Sequence, residues 1–287
     1  MSYQEKNTTS QHEKYENPPV IHVLAVLKVN PVEEIAEYID KITKALRKLG
    51  YLDRIDAEDQ NVCINLDELR ASEDGNLSPK FEVKNKKAWV FIHQSKEFSL
   101  TIADDKLAFQ TSCHREFSEF EKIFSHALRV VSEEVKESYI ETRRLGLRYV
   151  NLMTLDSSKS SSFWICSELL GGDLKDITDF HDHQTSIERL YDVSDGMLAV
   201  RCSDMEDQNP LPFGVNPLGL TIPKTVAKVL EDNERFLLLD LDRFTSITEK
   251  FNFDQIFTHL RSFNHSLQLF FNSCTTDKAK AIWRVKK

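Results

Sequence analysis

The segment Arg144–Asn151 most constrains how this chain folds, because it places arginines and an asparagine inside an otherwise apolar run. Strand alternation predicts that three large side chains of this run share one side of a sheet: Leu145, Leu147 and Tyr149. Arg148 then faces the other side, between Gly146 and Val150. A guanidinium in that position needs a carboxylate, an anionic ligand or water. We therefore expect Arg148 to be partly buried and bound either to a buried carboxylate or to a ligand.

Composition indicates a compact globular protein that needs no metal or disulfide for stability. The chain has 287 residues, of which 40% are hydrophobic and 29% are charged, so it is long enough for one large domain or two of ordinary size. The net charge of -9 argues against a sequence-independent grip on nucleic acid, which needs a concentrated basic surface.

The cysteines and the N-terminal segment indicate the compartment. The 5 cysteines are odd in number, far apart and without a C-x-x-C pair, which is untypical of a disulfide framework or a zinc ribbon: Cys63, Cys113, Cys166, Cys202 and Cys274. The first residues are polar and lack the apolar core of a signal peptide, and no apolar run approaches the length of a membrane span. We expect a cytoplasmic protein with no membrane contact.

Element order predicts an α+β fold. Residues 1–16 are expected to be a disordered leader, followed by strand Val20–Val29, which has one apolar face from Ile21 to Val29, and by a helix that opens with the capping pattern Asn30–Glu33 and ends at Leu49. Residues 51–80 are acidic and predict a mobile connection with one short strand. A helix opened by a capping box at Ser118 and Glu121 completes this part, to about residue 142, and it is preceded by a meander of four short strands: Phe81–Val83, Ala88–Gln94, Phe98–Ala103 and Leu107–Ser112. Lysines around Asn85 and Lys86 indicate a hairpin turn.

The same order recurs in the second part of the chain. A strand at Leu145–Thr154 is followed by helical material, antiparallel strands and a final helix: helix near 163–170, strands Ser186–Val193, Met197–Cys202 and Phe236–Leu241, and a helix opened by Asn252 and Gln255. We expect two similar halves, 17–142 and 143–287, each strand, helix, antiparallel strands and long helix. The sequence leaves open whether the halves join into one curved sheet covered by helices or form two domains.

Asp240 and Asp242 are candidate ligand-binding residues. They alternate with leucines in Leu237–Arg243, so both carboxylates share one face at the end of a strand. Paired aspartates of this kind bind Mg²⁺ and phosphate, but the chain has no glycine-rich phosphate loop. The alternative, which we favour, is a solvent-facing strand end with a turn at Asp242 and Arg243.

Two histidine-containing segments are weaker candidates. His181 and His183 lie in an Asp-rich run, but their i,i+2 spacing in a surface loop without ligands from a second element argues against a metal site. Cys113 and His114 are adjacent on an extended segment and face opposite sides, so they do not form a nucleophile and base pair. No cofactor or catalytic residue is predicted.

The basic tail, residues 278–287, contains Trp283 among four lysines and an arginine. It is typical of a solvated helix end, where cations complement the helix dipole. The alternative is an anchor for RNA or an acidic protein, in which Trp283 stacks on a base.

Several segments together resemble an uncharacterised, sporadically distributed bacterial family: Asn17–Ile21, the Leu-Gly-Leu-Arg-Tyr-Val-Asn motif at Leu145–Asn151, the Leu-Asp strand around Asp240, and the last helix with His265, Phe271 and Thr275. The resemblance spans residues 17 to about 276, apart from residues 51–80 and 207–223, which have no counterpart in the family. It implies an accessory gene of a mobile or defence-related locus, and it implies no activity.

These observations favour a non-enzymatic, cytoplasmic binding or regulatory protein with a protein partner, and they leave homo-oligomerisation open. The residues we expect to bind are Arg148, Asn151, Asp240, Asp242 and Trp283. The alternative is a metal- or nucleotide-dependent enzyme or sensor that uses Asp240, Asp242 and Arg148 in a central cleft.

Overall fold

A computed structural model describes residues 15–32, 34–64, 81–135, 140–156, 158–170, 185–205, 211–212, 218–232 and 234–284. Its strands are β1 Val20–Val29, β2 Tyr51–Ile64, β3 Phe81–His93, β4 Phe98–Ala103, β5 Lys106–Thr111, β6 Glu141–Thr154, β7 Thr185–Val193, β8 Gly196–Met205 and β9 Phe236–Lys250. Its helices are α1 Ile35–Lys48, α2 Phe117–Val135, α3 Ser161–Trp164, α4 Lys224–Asp232, α5 Phe253–Cys274 and α6 Asp277–Trp283, with a 3-10 turn at Ser167–Leu169. The predicted α+β class is confirmed.

Within the described residues, the nine strands form one antiparallel sheet in the order β2-β3-β4-β5-β1-β6-β9-β8-β7. Strands β1 and β6 lie side by side at its centre, with Ala25 opposite Leu147. Both parts of the chain therefore contribute to the same sheet, and residues 144–151 run through its middle.

Three long helices cover one face of the sheet. Apolar side chains of α1, α2 and α5 recur every three or four residues, and these stripes pack on the inward side chains of the strands in the large core. Phe124 of α2 stacks on Phe109 of β5 with 4.9 Å between the ring centroids. No helix in the described part of the chain is long and apolar enough to cross a membrane.

A smaller core lies on the opposite face, where Val226 and Val229 of α4 pack on β6 and β9. Ile21 belongs to this smaller core, so the prediction that it shares a face with Val23 is wrong. The cause is a register shift between Val20 and His22, where β1 pairs with β6, because an irregular residue reverses the side to which its neighbours point.

The segment expected to be a mobile connection with one short strand begins as the 14-residue strand β2, while residues 65–80 lie outside the described part. The expected turn at Asn85 and Lys86 is also wrong, because β3 runs straight through both residues. Lys86 pairs there with Asp104 at 3.1 Å and Asp105 at 2.9 Å. Pairing along the whole edge of β2 outweighs the local turn preference of these polar residues.

The expected helix caps are formed at one of three sites. Asn252 caps α5 as predicted, since its side chain accepts a hydrogen bond from the Gln255 backbone N–H at 3.1 Å. Asn30 does not cap α1; its side chain accepts from the Glu141 backbone N–H at 2.6 Å. Ser118 lies inside α2, which begins at Phe117, and its hydroxyl donates to Glu116.

The chain start departs from the expected leader at its last two residues. Tyr15 is only 9% exposed, and the Glu16 backbone N–H donates to the carbonyl of Arg284 at 2.8 Å. Residues 1–14 lie outside the described part.

Candidate functional site

Arg148 and Asp240 form a bidentate ion pair on the sheet face opposite the three long helices. Nε and Nη2 of Arg148 donate to the two carboxylate oxygens of Asp240, each at 2.7 Å. Asp240 is 1% exposed and the Arg148 side chain is 13% exposed, so the pair is nearly removed from water. A second arginine, Arg201 of β8, lies 3.4 Å from the same carboxylate. The carboxylate-bound form of the Arg148 prediction is therefore what the structure shows.

Asp242 lies beside this pair on the same face, two residues further along β9. Burial raises the pKa of its carboxyl group, while the charges of Arg144 and Arg148 act to lower it. The Arg144 guanidinium approaches it to 3.7 Å. The strand continues to Lys250, so the favoured interpretation, a solvent face with a turn at Asp242 and Arg243, is wrong.

The structure thus brings Arg148, Asp240 and Asp242 together, as a shared ligand site would require. Three arginines surround the two carboxylates, and one of them, Arg201, also pairs with Glu188 at 2.8 Å, so the charges are matched within the protein. Bound guanidinium groups compete with a metal for the same oxygen atoms. Among the described residues no group of three or more His, Cys, Asp or Glu side chains is arranged to hold a metal ion, and His181 and His183 lie outside that part.

Arg243 is a buried arginine that the sequence analysis did not identify. Its side chain is 1% exposed and faces the large core, where it donates to the carbonyls of Met197 at 3.1 Å and Phe244 at 2.8 Å and pairs with Asp195. Its guanidinium lies 4.8 Å from the centroid of the Phe263 ring. The alternation that places Asp240 and Asp242 on one face requires Arg243 on the other, and this signal was present in the sequence.

A cavity of about 330 Å³ lies on the helix-covered face, between the centre of the sheet, the first turn of α2 and α5. Tyr149 and Asn151 of β6 form its floor, on the side of the strand opposite Arg148. Leu241 and Leu267, which are 1% and 2% exposed, add apolar wall. Tyr15 and Asn272 also line it, so the cavity combines residues from near both ends of the chain, and Asn151 is the one predicted binding residue among them.

Uncharged amide groups dominate the polar lining. Three carboxamides of α5, which we call the amide stripe, recur at every fourth residue and so share one helical face: Asn264, Gln268 and Asn272. Tyr149 donates from its hydroxyl to Oδ1 of Asn264 at 2.9 Å, and Nε2 of Gln268 donates to the same oxygen at 3.2 Å. The four-residue spacing of these amides along α5 is a sequence signal for the site.

Asn151 is held rigidly beneath the amide stripe. It is 1% exposed, and its Nδ2 donates to the carbonyl of Leu239 on the neighbouring strand at 3.1 Å. Its Oδ1 accepts no hydrogen bond from the described residues. Asn151 therefore presents an unused acceptor at the bottom of the cavity.

His114 adds a neutral imidazole to the cavity wall. Burial lowers the pKa of its ring to about 4, so the ring is uncharged at neutral pH. Its Nδ1 is shielded from solvent and has no hydrogen-bond partner in the part of the chain described, and the ring packs edge-on against Tyr149 at 5.2 Å. Burial raises the pKa of the neighbouring Cys113 thiol, which opposes formation of a nucleophilic thiolate.

Trp283 occupies the core rather than the surface. It is 4% exposed, stacks on Trp164 with 5.8 Å between the ring centroids, and packs against Phe271. A base cannot stack on a ring that is already enclosed by protein, so the alternative of a Trp283 anchor for RNA has no support from this position. Its contacts instead attach α6 to α3 and α5.

Comparison of the chain with protein-family models, with curated proteins and with solved structures found no match. The resemblance carried by Leu145–Asn151 stays a prediction.

Proposed function

We propose that this protein is a non-catalytic binding protein whose ligand is a small molecule held in the cavity beneath α5. One observation carries the proposal. Asn151, at 1% exposure, presents an amide oxygen without a hydrogen-bond donor at the floor of a cavity of about 330 Å³. Buried polar groups in folded proteins are nearly always hydrogen-bonded, so an unused acceptor in this position supports an occupant that donates to it.

The size and lining of the cavity support the same conclusion. Ligand pockets begin at roughly 300 Å³ and combine apolar walls with a few convergent polar groups. Here the walls include Leu241 and Leu267, and the polar groups are the amide stripe, Asn151 and His114. Ordered water alone would satisfy the same polar atoms but would not require the apolar walls.

The protonation states of the cavity rings favour binding over catalysis. Burial lowers the pKa of His114 to about 4 and raises the pKa of Tyr149 above its usual value. A general acid or base works best when its pKa lies near the working pH, and burial shifts the pKa values of both rings away from neutral pH. Both are suited to hydrogen bonding as neutral groups.

The finer organisation of the fold belongs to this proposal as well. We infer two similar halves from the sheet order, since β1 pairs with β5, the last strand of the first meander, and β6 pairs with β9, the last strand of the second. The cavity then lies where the halves meet.

The proposal also includes a cytoplasmic regulatory role. A protein partner would sense the occupied cavity, and the gene would belong to a mobile or defence-related locus.

The second candidate function is an enzyme or nucleotide sensor built on Arg148, Asp240 and Asp242. The observation in its favour is that the three side chains converge and that Asp242 remains 18% exposed. An Asp242→Asn variant tests it, because the substitution removes the charge while leaving the buried Arg148–Asp240 pair intact. Mg²⁺-dependent nucleotide turnover that is present in wild type and lost in the variant would establish this function.

Small molecules released from the purified protein test the leading proposal. Ser118 is exposed on the first turn of α2 and lines the cavity, so Ser118→Trp is designed to obstruct the entrance at little cost to folding. His126→Trp places the same ring on an exposed position of α2 away from the cavity. Mass spectrometry of the heat-released fraction should detect a compound in wild type and His126→Trp that is absent from Ser118→Trp. Identical fractions from all three proteins would refute the proposal.

A further inference from the structure

We infer that the cavity ligand is an uncharged aromatic ring that carries an amide-type edge, with a hydrogen-bond donor beside an acceptor. The inference rests on the proposed function and adds the chemical class of the ligand. Nucleobases and heteroaromatic carboxamides share this chemistry.

The unused hydrogen-bonding atoms of the cavity alternate in type. Oδ1 of Asn264 accepts from both Tyr149 and Gln268, which assigns the orientation of the Asn264 amide and leaves its Nδ2 as a donor. The same bond leaves Oε1 of Gln268 as an acceptor without a donor among the described residues. A ligand edge with one donor and one acceptor satisfies both amides, whereas a ketone, which only accepts, leaves Oε1 of Gln268 unpaired.

Asn151 and Asn272 extend this pattern. Oδ1 of Asn272 accepts from the hydroxyl of Tyr15 at 2.9 Å, so its Nδ2 is a second available donor on the amide stripe. Oδ1 of Asn151 is the acceptor on the floor. Donors and acceptors are thus present on two sides of the cavity, which favours a ring with polar atoms on more than one edge.

The electrostatics of the cavity exclude an ionised ligand from its interior. The floor and the amide stripe are uncharged, and burial keeps the His114 ring neutral by lowering its pKa to about 4. An ionised group would lose its hydration there without gaining a counter-charge. The charged side chains of the lining, Arg115 and Glu116, precede the first turn of α2, and Arg115 pairs with Glu97 at 3.0 Å.

The apolar part of the lining includes flat aromatic surfaces. Phe117 and Phe271 line the cavity together with Leu241 and Leu267. A volume of about 330 Å³ lies at the low end of the range for ligand pockets, which limits the ligand to a small ring system. An aromatic ring between these walls gains apolar contact while its edge reaches the amides.

Four probes of similar size separate the features of this inference. Nicotinamide and uracil carry the amide-type edge, nicotinate replaces the nicotinamide carboxamide by a carboxylate, and toluene keeps an aromatic ring without an edge. Calorimetry at neutral pH should give nicotinamide or uracil a dissociation constant at least tenfold below those of nicotinate and toluene. Equal or tighter binding of nicotinate or toluene, or no binding of any probe, would overturn the inference.

A matched pair of variants locates the binding. Gln268→Met removes the amide from the stripe at nearly constant side-chain length, and Gln94→Met makes the same change at an exposed glutamine outside the cavity. We expect nicotinamide or uracil affinity to fall at least tenfold in Gln268→Met and to stay unchanged in Gln94→Met. Equal affinity in both variants would place the binding elsewhere and overturn the inference.

Different experimental outcomes would reject the proposed function and the ligand class. A charged or non-aromatic compound released by wild type and absent from Ser118→Trp would retain the cavity as a binding site and reject the ligand class. Tight binding of toluene alone would have the same meaning.

Discussion

Arg148 and Asp240 lie on neighbouring strands and meet edge to edge, with Nε and Nη2 of the guanidinium each 2.7 Å from a different carboxylate oxygen. The Asp240 side chain is 1% exposed and the Arg148 side chain 13%, so both ions have given up most of their water. Their stabilisation therefore depends on each other, and loss of one partner leaves the other charge buried without compensation.

Replacement of Arg148 by alanine should lower the free energy of unfolding by about 2–4 kcal/mol, because Asp240 is then left buried without its main partner. Arg148→Lys should recover only part of this loss, since an ammonium group cannot form the parallel pair of bonds. Arg143→Ala is the control: this arginine precedes Arg148 on the same strand, is 47% exposed, and should change stability by less than about 0.5 kcal/mol. Urea denaturation measures all three.

An apolar replacement of both residues tests whether the unpaired charge of Asp240 causes the loss of stability in Arg148→Ala. Arg148→Met combined with Asp240→Leu removes both charges, and we expect the double variant to be more stable than Arg148→Ala. If the double variant loses as much stability as Arg148→Met and Asp240→Leu lose in sum when made singly, the two residues act independently.

Two glycines on the strands that flank β9, Gly146 of β6 and Gly196 of β8, should respond oppositely to alanine. Gly196 has φ +142°, and an added Cβ would lie 2.3 Å from the carbonyl oxygen of Phe244, so Gly196→Ala should cost about 3 kcal/mol. At Gly146 the nearest atom to an added Cβ is 3.5 Å away, which is ordinary contact. Gly146→Ala should stay within about 1 kcal/mol of wild type, on the stabilising side. Thermal melts of the two variants provide the comparison, and equal losses would contradict it.

His22 should make the protein less stable as the pH falls. Burial lowers the pKa of this ring to about 4 from 6.5, an effect that the hydrogen bond to Gln110 opposes and the charge of Arg148 reinforces. Because the unfolded state binds the proton more tightly, the stabilisation present at pH 7 is lost between pH 6.5 and 4, with about 2 kcal/mol lost by pH 5. Denaturation at pH 7 and pH 5 should show a loss in wild type that exceeds that of His22→Gln by this amount. Equal losses in both proteins would show that His22 does not titrate as described.

Stability and ligand binding should change in opposite directions at His114. His114→Phe keeps an aromatic ring against Tyr149 and removes a shielded nitrogen that has no partner in the described residues, so unfolding should require about 1 kcal/mol more. The same change should weaken binding of the cavity ligand, because a hydrogen-bonding wall becomes apolar. Denaturation and calorimetry measure the two effects, with His126→Phe, an exposed position on α2, as the control. A variant that gains no stability would show that the His114 nitrogen is satisfied in solution.

Sequence patterns predicted side-chain facing well wherever the period of the element is regular. In β6 the alternation placed Arg148 on one face and Tyr149 on the other, as observed, and in β9 it placed Asp240 and Asp242 together. The same reasoning failed at Ile21 because an irregular pairing next to His22 changes the facing of one residue, and such irregularities are set by the neighbouring strand.

Local turn and cap signals were less reliable because long-range partners compete for the same groups. Asn30 has the side chain of a helix cap, yet its amide oxygen binds the backbone of Glu141, which is 111 residues away. Asn85 and Lys86 have turn propensity but lie within a long ladder with β2. In each case a hydrogen bond that exists only in the folded sheet replaces the local one.

The sequence by itself determined the α+β class, the facing of Arg148, Asp240 and Asp242, and the amphipathic helices, because each depends on spacing within one element. Only the tertiary structure decided that Arg148 binds Asp240, 92 residues away, and that Trp283 is enclosed. The cavity also depends on tertiary structure: its floor comes from β6, its amide stripe from α5, and its imidazole from the segment between β5 and α2. Its unused hydrogen-bonding groups arise where strands and helices that are distant in sequence pack against each other, and local spacing does not encode that packing.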